Sequence, residues 1–247
     1  MSAPTYVIVA AGSALGTALA RRLAATGAQL VLTARDTSTI DALAAEVGGR
    51  AVAADATRFA DVDRAVAEAT AWTGRLDGIV NCAGSIVLKP AHLTSEADLT
   101  AVLDTNLRTA FAVVRAGAAA MRQSGGAIVL VSSAAAEIGL PNHEAIAAAK
   151  AGVLGLMRSA AATYATSGIR VNAVAPGLVA SPLSRAITSN EMALKASVAM
   201  HPLGRIGTPD DIASAVAWLL GPESTWVTGQ VLGVDGGLAH VKGRQKQ

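Results

Sequence analysis

Of the 247 residues, 52% are apolar, 15% charged and 3% aromatic, with one Cys and a formal charge of +2. So apolar and weakly charged a chain is not disordered, and a single Cys cannot staple a secreted scaffold, so a cytoplasmic protein is expected. Lys242, Arg244 and Lys246 supply the positive excess, which leaves the body of the chain at −1, without a basic field for nucleic acid and with few rings for base stacking.

Residues 1–20 carry no charge, but they lack a basic leader and are interrupted by Gly12 and Gly16. No run of about 18 strongly apolar residues is present, so no membrane partner is expected. In chain order, strands are predicted at residues 6–10, 29–34, 51–54, 78–81, 127–131, 170–175 and 230–234. Most of these are continuous apolar runs, as suits strands covered on both faces. Helices are predicted at 15–26, 39–46, 61–72, 95–103, 105–123, 144–166 and 210–219, several of them rich in Ala, the strongest helix former. The alternation implies an α/β fold: one Rossmann-like, doubly wound parallel sheet of about seven strands with helices on both faces. No linker or composition shift divides it, so residues 1–240 read as one domain and 241–247 as a basic tail.

The first strand runs into Ala10-Ala11-Gly12-Ser13-Ala14-Leu15-Gly16. A strand, a Gly turn and a helix start make a phosphate site from outward backbone N–H groups and the helix dipole. Gly12, Ser13, Leu15 and Gly16 are its candidate residues. Arg35 follows the second strand, where an Arg can pair with a 2′-phosphate, so NADP(H) is preferred over a possible NAD(H). Asp36, next to it, has a carboxylate that can face either way. The bland alternative for Arg35 is a solvated loop residue.

These residues, with others in the same order, resemble the short-chain dehydrogenase/reductase family over nearly the whole chain. Ala11 stands for the usual Thr and Ala18 for the third Gly of the turn. Asp55, with Ala56, resembles the adenine contact. Asn81-Cys82-Ala83-Gly84 resembles the segment closing the fourth strand, with Asn81, Ala83 and Gly84 on the cofactor. Asn106 resembles the Asn that supports the active-site lysine, and Ser132-Ser133 the serine pair after the fifth strand. Pro176, Gly177, Val179 and Ser181 resemble the nicotinamide-side loop. Thr228-Gly229-Gln230 and Val234-Asp235-Gly236-Gly237 resemble the C-terminal signature. The resemblance implies that Lys150 holds the nicotinamide ribose and stabilises charge on the substrate oxygen. Ser133 would orient that oxygen. It also implies a homodimer or homotetramer.

The departure lies at the proton donor. The family's Tyr stands thirteen residues after the Ser and four before the Lys, and position 146 is Ile. Neither Tyr6 nor Tyr164 matches a catalytic position. Enoyl-acyl-carrier-protein reductases place their Tyr seven before the Lys, where this chain has His143. Seven residues return to nearly the same helix face. His143 is therefore a candidate donor, with a plain helix-start role as the alternative. Two other readings stay open: water or the substrate handles the proton, or the protein binds NADP(H) without turnover.

Cys82 reads as a buried structural thiol, and His92, His201 and His240 show no metal spacing. Residues 179–201 are the expected lid over a small-molecule substrate, with Leu183, Ile187, Met192, Leu194 and Met200 suggesting an apolar one.

Overall fold

In the computed structural model, which describes residues 3–242, seven strands run parallel. Arg244 and Lys246 of the basic tail lie outside the described residues. The strands are β1 (Thr5–Val9), β2 (Gln29–Ala34), β3 (Arg50–Ala53), β4 (Gly78–Asn81), β5 (Gly126–Val131), β6 (Ile169–Pro176) and β7 (Val231–Val234). Their order across the sheet is β3-β2-β1-β4-β5-β6-β7. The chain leaves β1 toward β2 and β3, then returns to place β4 on the other side of β1. That reversal opens a crevice at the carboxyl ends of β1 and β4, where open α/β sheets bind ligands.

The helices are α1 (Ala14–Ala24), α2 (Asp41–Val47), α3 (Phe59–Thr73), α4 (Glu96–Leu103), α5 (Thr109–Met121), α6 (Glu144–Tyr164), α7 (Arg185–Thr188), α8 (Glu191–Met200) and α9 (Pro209–Leu220). All of β1 is buried, yet its side chains still alternate. Val7 and Val9 join the core with α3, α5 and α6, through residues such as Val62, Val113 and Met157. Tyr6 and Ile8 face α1, α2 and α9, through Leu19, Leu43 and Ile212. This double cover explains why the strands read as unbroken apolar runs.

The predicted strands are all present, with ends shifted by a residue or so. Two helical regions differ. A single helix was expected from 105 to 123, but residues Asp104–Arg108 form a π-helical turn and α5 begins only at Thr109. The lid holds three short helical pieces, Pro182–Ser184, α7 and α8. Helix α6 with its following turn is long and apolar enough to span a membrane, but half of that stretch is buried. Val153, Leu154 and Met157 there belong to the core on the sheet.

Candidate active site

A cleft of about 430 Å³ opens above the carboxyl ends of β1, β4, β5 and β6. Gly12, Ser13 and Leu15 line it from the first turn, and Ala83 and Gly84 from the end of β4. Ser133, Lys150 and Asn106 form its inner wall, and Pro176, Gly177, Val179 and Ser181 its lid side. Ile146 is on the wall, as is Leu183 of the expected lid, together with Ser85, Ile86, Leu178 and Ile212, which the sequence did not single out.

The turn after β1 is shaped by steric limits. The Ser13 hydroxyl accepts the Gly16 N–H at 3.0 Å and so caps α1. A β-carbon on Gly16 would lie 2.7 Å from Ala11 Cα and 2.8 Å from two carbonyl oxygens. Gly16 thus lets the helix close on the strand and stays behind the cleft rather than in it. Ala10 sits in the left-handed region, with φ at 59°, where the chain leaves the strand.

The inner wall is tightly wired. Asn106 is fully buried, and the π turn carries it inward. Its Nδ2 donates to the Val102 carbonyl and the Ser85 hydroxyl, each at 2.9 Å, while its Oδ1 accepts the Ser85 N–H. Asn81 is also buried; it accepts the Ala83 N–H and donates to the Thr109 hydroxyl. It braces the end of β4 against α5 without lining the cleft. Both serines lie on the wall: Ser132 donates to the Lys150 backbone carbonyl, and the Ser133 hydroxyl caps a short turn by accepting the Ala135 N–H. Lys150 Nζ donates to the Val131 carbonyl at 2.8 Å, and no carboxylate pairs with it among the described residues. Burial pulls its pKa down to about 8, with Cys82 acting weakly the other way. Burial likewise pushes the Cys82 thiol up to about 12.

His143 does not join the wall. It precedes the first residue of α6, and its Nδ1 lies 2.7 Å from the Pro141 carbonyl, so the ring is turned back on its own loop. The shared helix face holds only for Ile146 and Lys150. Ile146 is buried with Val102, Ala145 and Ala149. Arg35, Asp55 and Ala56 also lie outside the cleft lining, just past the carboxyl ends of β2 and β3. Hydrogen bonds from Thr57 hold Asp55 below its ordinary pKa, with smaller help from Arg58 and Arg35. Asp36 turns its carboxylate to Ser38, whose hydroxyl first and N–H second lower its pKa.

A residue the sequence did not mark also positions the site. His201 is buried; its Nε2 accepts the Leu178 N–H at 3.1 Å, which leaves Nδ1 to donate to the Ser197 carbonyl at 2.6 Å. It joins the end of α8 to the loop after β6. Both partners are backbone groups, which leave no mark in a sequence.

The family model described as enoyl-(acyl carrier protein) reductase matches residues 9–239. A protein named cis-4-hydroxycyclohexanecarboxylate dehydrogenase, from Sinomonas cyclohexanicum, is 38% identical over 95% of this chain and 96% of its own. Another, named inactive 2-(S)-hydroxypropyl-CoM dehydrogenase 2, from Xanthobacter autotrophicus, is 37% identical over 90% of this chain and all of its own. A solved short-chain type dehydrogenase/reductase from Mycobacterium ulcerans superposes with a TM-score of 0.93 at 32% identity, covering 98% of this chain and 93% of that one. The chain belongs to the short-chain dehydrogenase/reductase family. It is therefore an oxidoreductase of a family that uses a nicotinamide dinucleotide.

The residues present fit such a cofactor. The amino end of α1 faces the cleft through Ser13 and Ala14. Gly84 is bare where a β-carbon would come 3.3 Å from Asn106 Oδ1 and 3.7 Å from Lys150 Nζ. In this short-chain dehydrogenase/reductase the lysine amine thus stays open toward the cleft.

Proposed function

We propose that this chain is an NADP(H)-dependent reductase or dehydrogenase that interconverts a small, mainly apolar carbonyl compound or enone with its reduced form. The observation that carries this reading is the meeting of Ser133 and Lys150 on one wall of a mainly apolar cleft, with Asn106 packed behind Ser85. The cofactor supplies or removes the hydride at the substrate carbon. The Ser133 hydroxyl holds the reacting oxygen, and the Lys150 charge favours negative charge developing there. Ile86, Ile146 and Leu183 give the substrate an apolar seat. The name of the Sinomonas relative describes a dehydrogenase of a hydroxyl compound, which supports the same chemistry, whereas the Xanthobacter relative is named inactive.

The NADP(H) preference rests on Arg35, exposed just past β2, with the neighbouring Asp36 carboxylate engaged by its own backbone. Self-association as a homodimer or homotetramer is supported by half-exposed Phe111 on α5 and by exposed Trp218, Trp226 and Leu232 around α9 and β7. Fluorescence titration with NADPH and NADH, followed by a screen of ketones, aldehydes and enones, tests the reading. Tighter NADPH binding and turnover of at least one class are expected, whereas tighter NADH binding refutes the use of Arg35. Ile146 on the wall favours a second reading, a cofactor-binding protein without turnover. Binding of NADPH with no hydride transfer across the panel would select it.

A further inference from the structure

Reducing a carbonyl needs a proton for oxygen as well as a hydride for carbon, and the donor must sit within hydrogen-bond reach. Among the described residues only two on the cleft wall, Cys82 and Lys150, have titratable side chains. Cys82 is buried and holds its proton up to a pKa of about 12. His143 is turned away onto Pro141, and position 146 carries no acid. The geometry of Lys150 is different. Its side chain reaches the wall from α6, is almost fully buried, and makes one hydrogen bond with the described residues, to the Val131 carbonyl. An ammonium has three N–H donors. Two therefore remain for groups that enter the cleft, with Ser133 beside the same wall.

We propose that Lys150 is itself the proton donor to the reacting oxygen, with Ser133 fixing that oxygen and Ile146 leaving no competing acid on that wall. The inference rests on the reductase reading above. During reduction the hydride pair from reduced nicotinamide forms the new C–H bond, and the carbonyl π pair moves to oxygen. That oxygen takes a proton from Lys150, which becomes a neutral amine and regains a proton from solvent. In oxidation the neutral amine accepts the alcohol proton as the hydride leaves carbon. Burial brings Lys150 to about 8, so both protonation states are accessible near neutral pH. Cys82 at the end of β4 is the titratable group acting on it; Asn106, Ser132 and Ser133 around it carry no charge.

The test uses the full chain at saturating NADPH, with cofactor fluorescence separating a lost proton from a lost cofactor. Reduction should fall about tenfold per pH unit above a midpoint near 8, and oxidation about tenfold per unit below it. Lys150→Arg keeps a cation that does not release its proton, so kcat should drop at least about 100-fold. If that variant misfolds, Ile146→Tyr is read instead; a phenol one turn before Lys150 should move the pH limb away from 8. A readout independent of turnover is acylation of the free protein across pH, followed by peptide mass spectrometry, with a Lys150 midpoint near 8 expected. A reduction profile flat through that pH, a Lys150→Arg enzyme keeping about a third of its rate, an unmoved limb in Ile146→Tyr, or an acylation midpoint above about 10 overturns the proposal. Turnover that survives Lys150→Arg overturns the proton role alone. NADPH binding with no turnover of any substrate overturns the reductase reading and the proton role together.

Discussion

The two sides of the cleft are built on different terms. On the inner wall Asn106, Ser132 and Lys150, with Asn81 behind it, are all buried, and each is hydrogen-bonded to a neighbouring element. On the lid side the chain breaks into short helices that leave Leu183, Met192 and Met200 exposed. Buried polar groups that are fully satisfied hold one geometry, because any shift leaves a donor or acceptor unpaired. In the lid the buried Ser184 anchors the first turn through the Val179 carbonyl and a capping box with Ser181, and His201 anchors the far end, while the stretch between them is largely exposed. The wall is thus suited to hold reacting groups, and the lid to accept substrates of differing shape.

The largest effect should come from forcing the wall open at the phosphate turn. In Gly16→Val, the first added carbon already collides with Ala11 Cα and two carbonyl oxygens at 2.7–2.8 Å. Helix α1 must then move off β1, so NADPH affinity should fall at least about 100-fold and the thermal midpoint should drop by several degrees, roughly what a few kcal/mol of overpacking does. Calorimetry and fluorescence titration check both. A variant that binds NADPH normally would show that the wall is not as rigid as its packing indicates.

Lys150→Met sharpens the comparison through stability. The folded pKa is about 8, below the ordinary 10.5, because burial penalises the charged form. Below pH 8 the amine is charged in both folded and unfolded chains, so the native state bears the whole penalty. Between 8 and 10.5 the unfolded chain binds more protons, so stability rises with pH; above 10.5 the penalty is gone. Lys150→Met should therefore stabilise the free protein near pH 7 by up to about 3 kcal/mol, and the gain should vanish by high pH. Urea unfolding of both proteins across that range decides it. A gain independent of pH would point to packing instead of charge.

Asn106→Ala removes the wall's central brace. It leaves the Val102 carbonyl and the Ser85 groups short of partners in a buried place. Unfolding free energy should fall by about 1–3 kcal/mol, and turnover should fall as well, because Ser85 and the adjoining loop lose their anchor. On the lid side, His201→Leu keeps much of the ring's bulk but orphans the Leu178 N–H. The lid should loosen, with KM raised roughly severalfold, kcat less changed, and stability lowered by about 1 kcal/mol. Equal losses in kcat would mean that the lid also holds the reacting groups.

Much of the fold was legible because both layers obey period rules. Continuous apolar strands and Ala-rich helices alternate, and their order sets the crevice. Backbone-mediated features were not legible. The π turn at Asp104–Arg108 sits in a sequence that reads as one helix, because it is a single turn between α4 and α5 with no Gly or Pro to mark it. Helices α7 and α8 are short and largely exposed, so no apolar face announces them. In the site, Gly12, Ser13, Ser133, Lys150 and the Pro176–Gly177 loop come together on one cleft. Leu178 and His201 were missed because they act through main-chain contacts, and Ser85 because its bonds to Asn106, from both N–H and hydroxyl, join residues 21 apart that no spacing rule links.

His143 tests that distinction between sequence spacing and geometry with the smallest expected effect. Seven residues before Lys150 it has the spacing of a donor, and spacing alone would put it on the same face. The helix, however, begins only at Glu144, after Asn142 has taken a left-handed φ of 63°. The imidazole then bonds to the Pro141 carbonyl, a local contact that costs little chain entropy to form. His143→Phe loses only this loop contact, so kcat should stay within about twofold and stability within about 1 kcal/mol of the parent. Initial rates at matched NADPH saturation make the comparison. A drop of about tenfold would return His143 to the chemistry and would require the loop 141–143 to rearrange when substrate binds, because its present ring orientation lies off the wall.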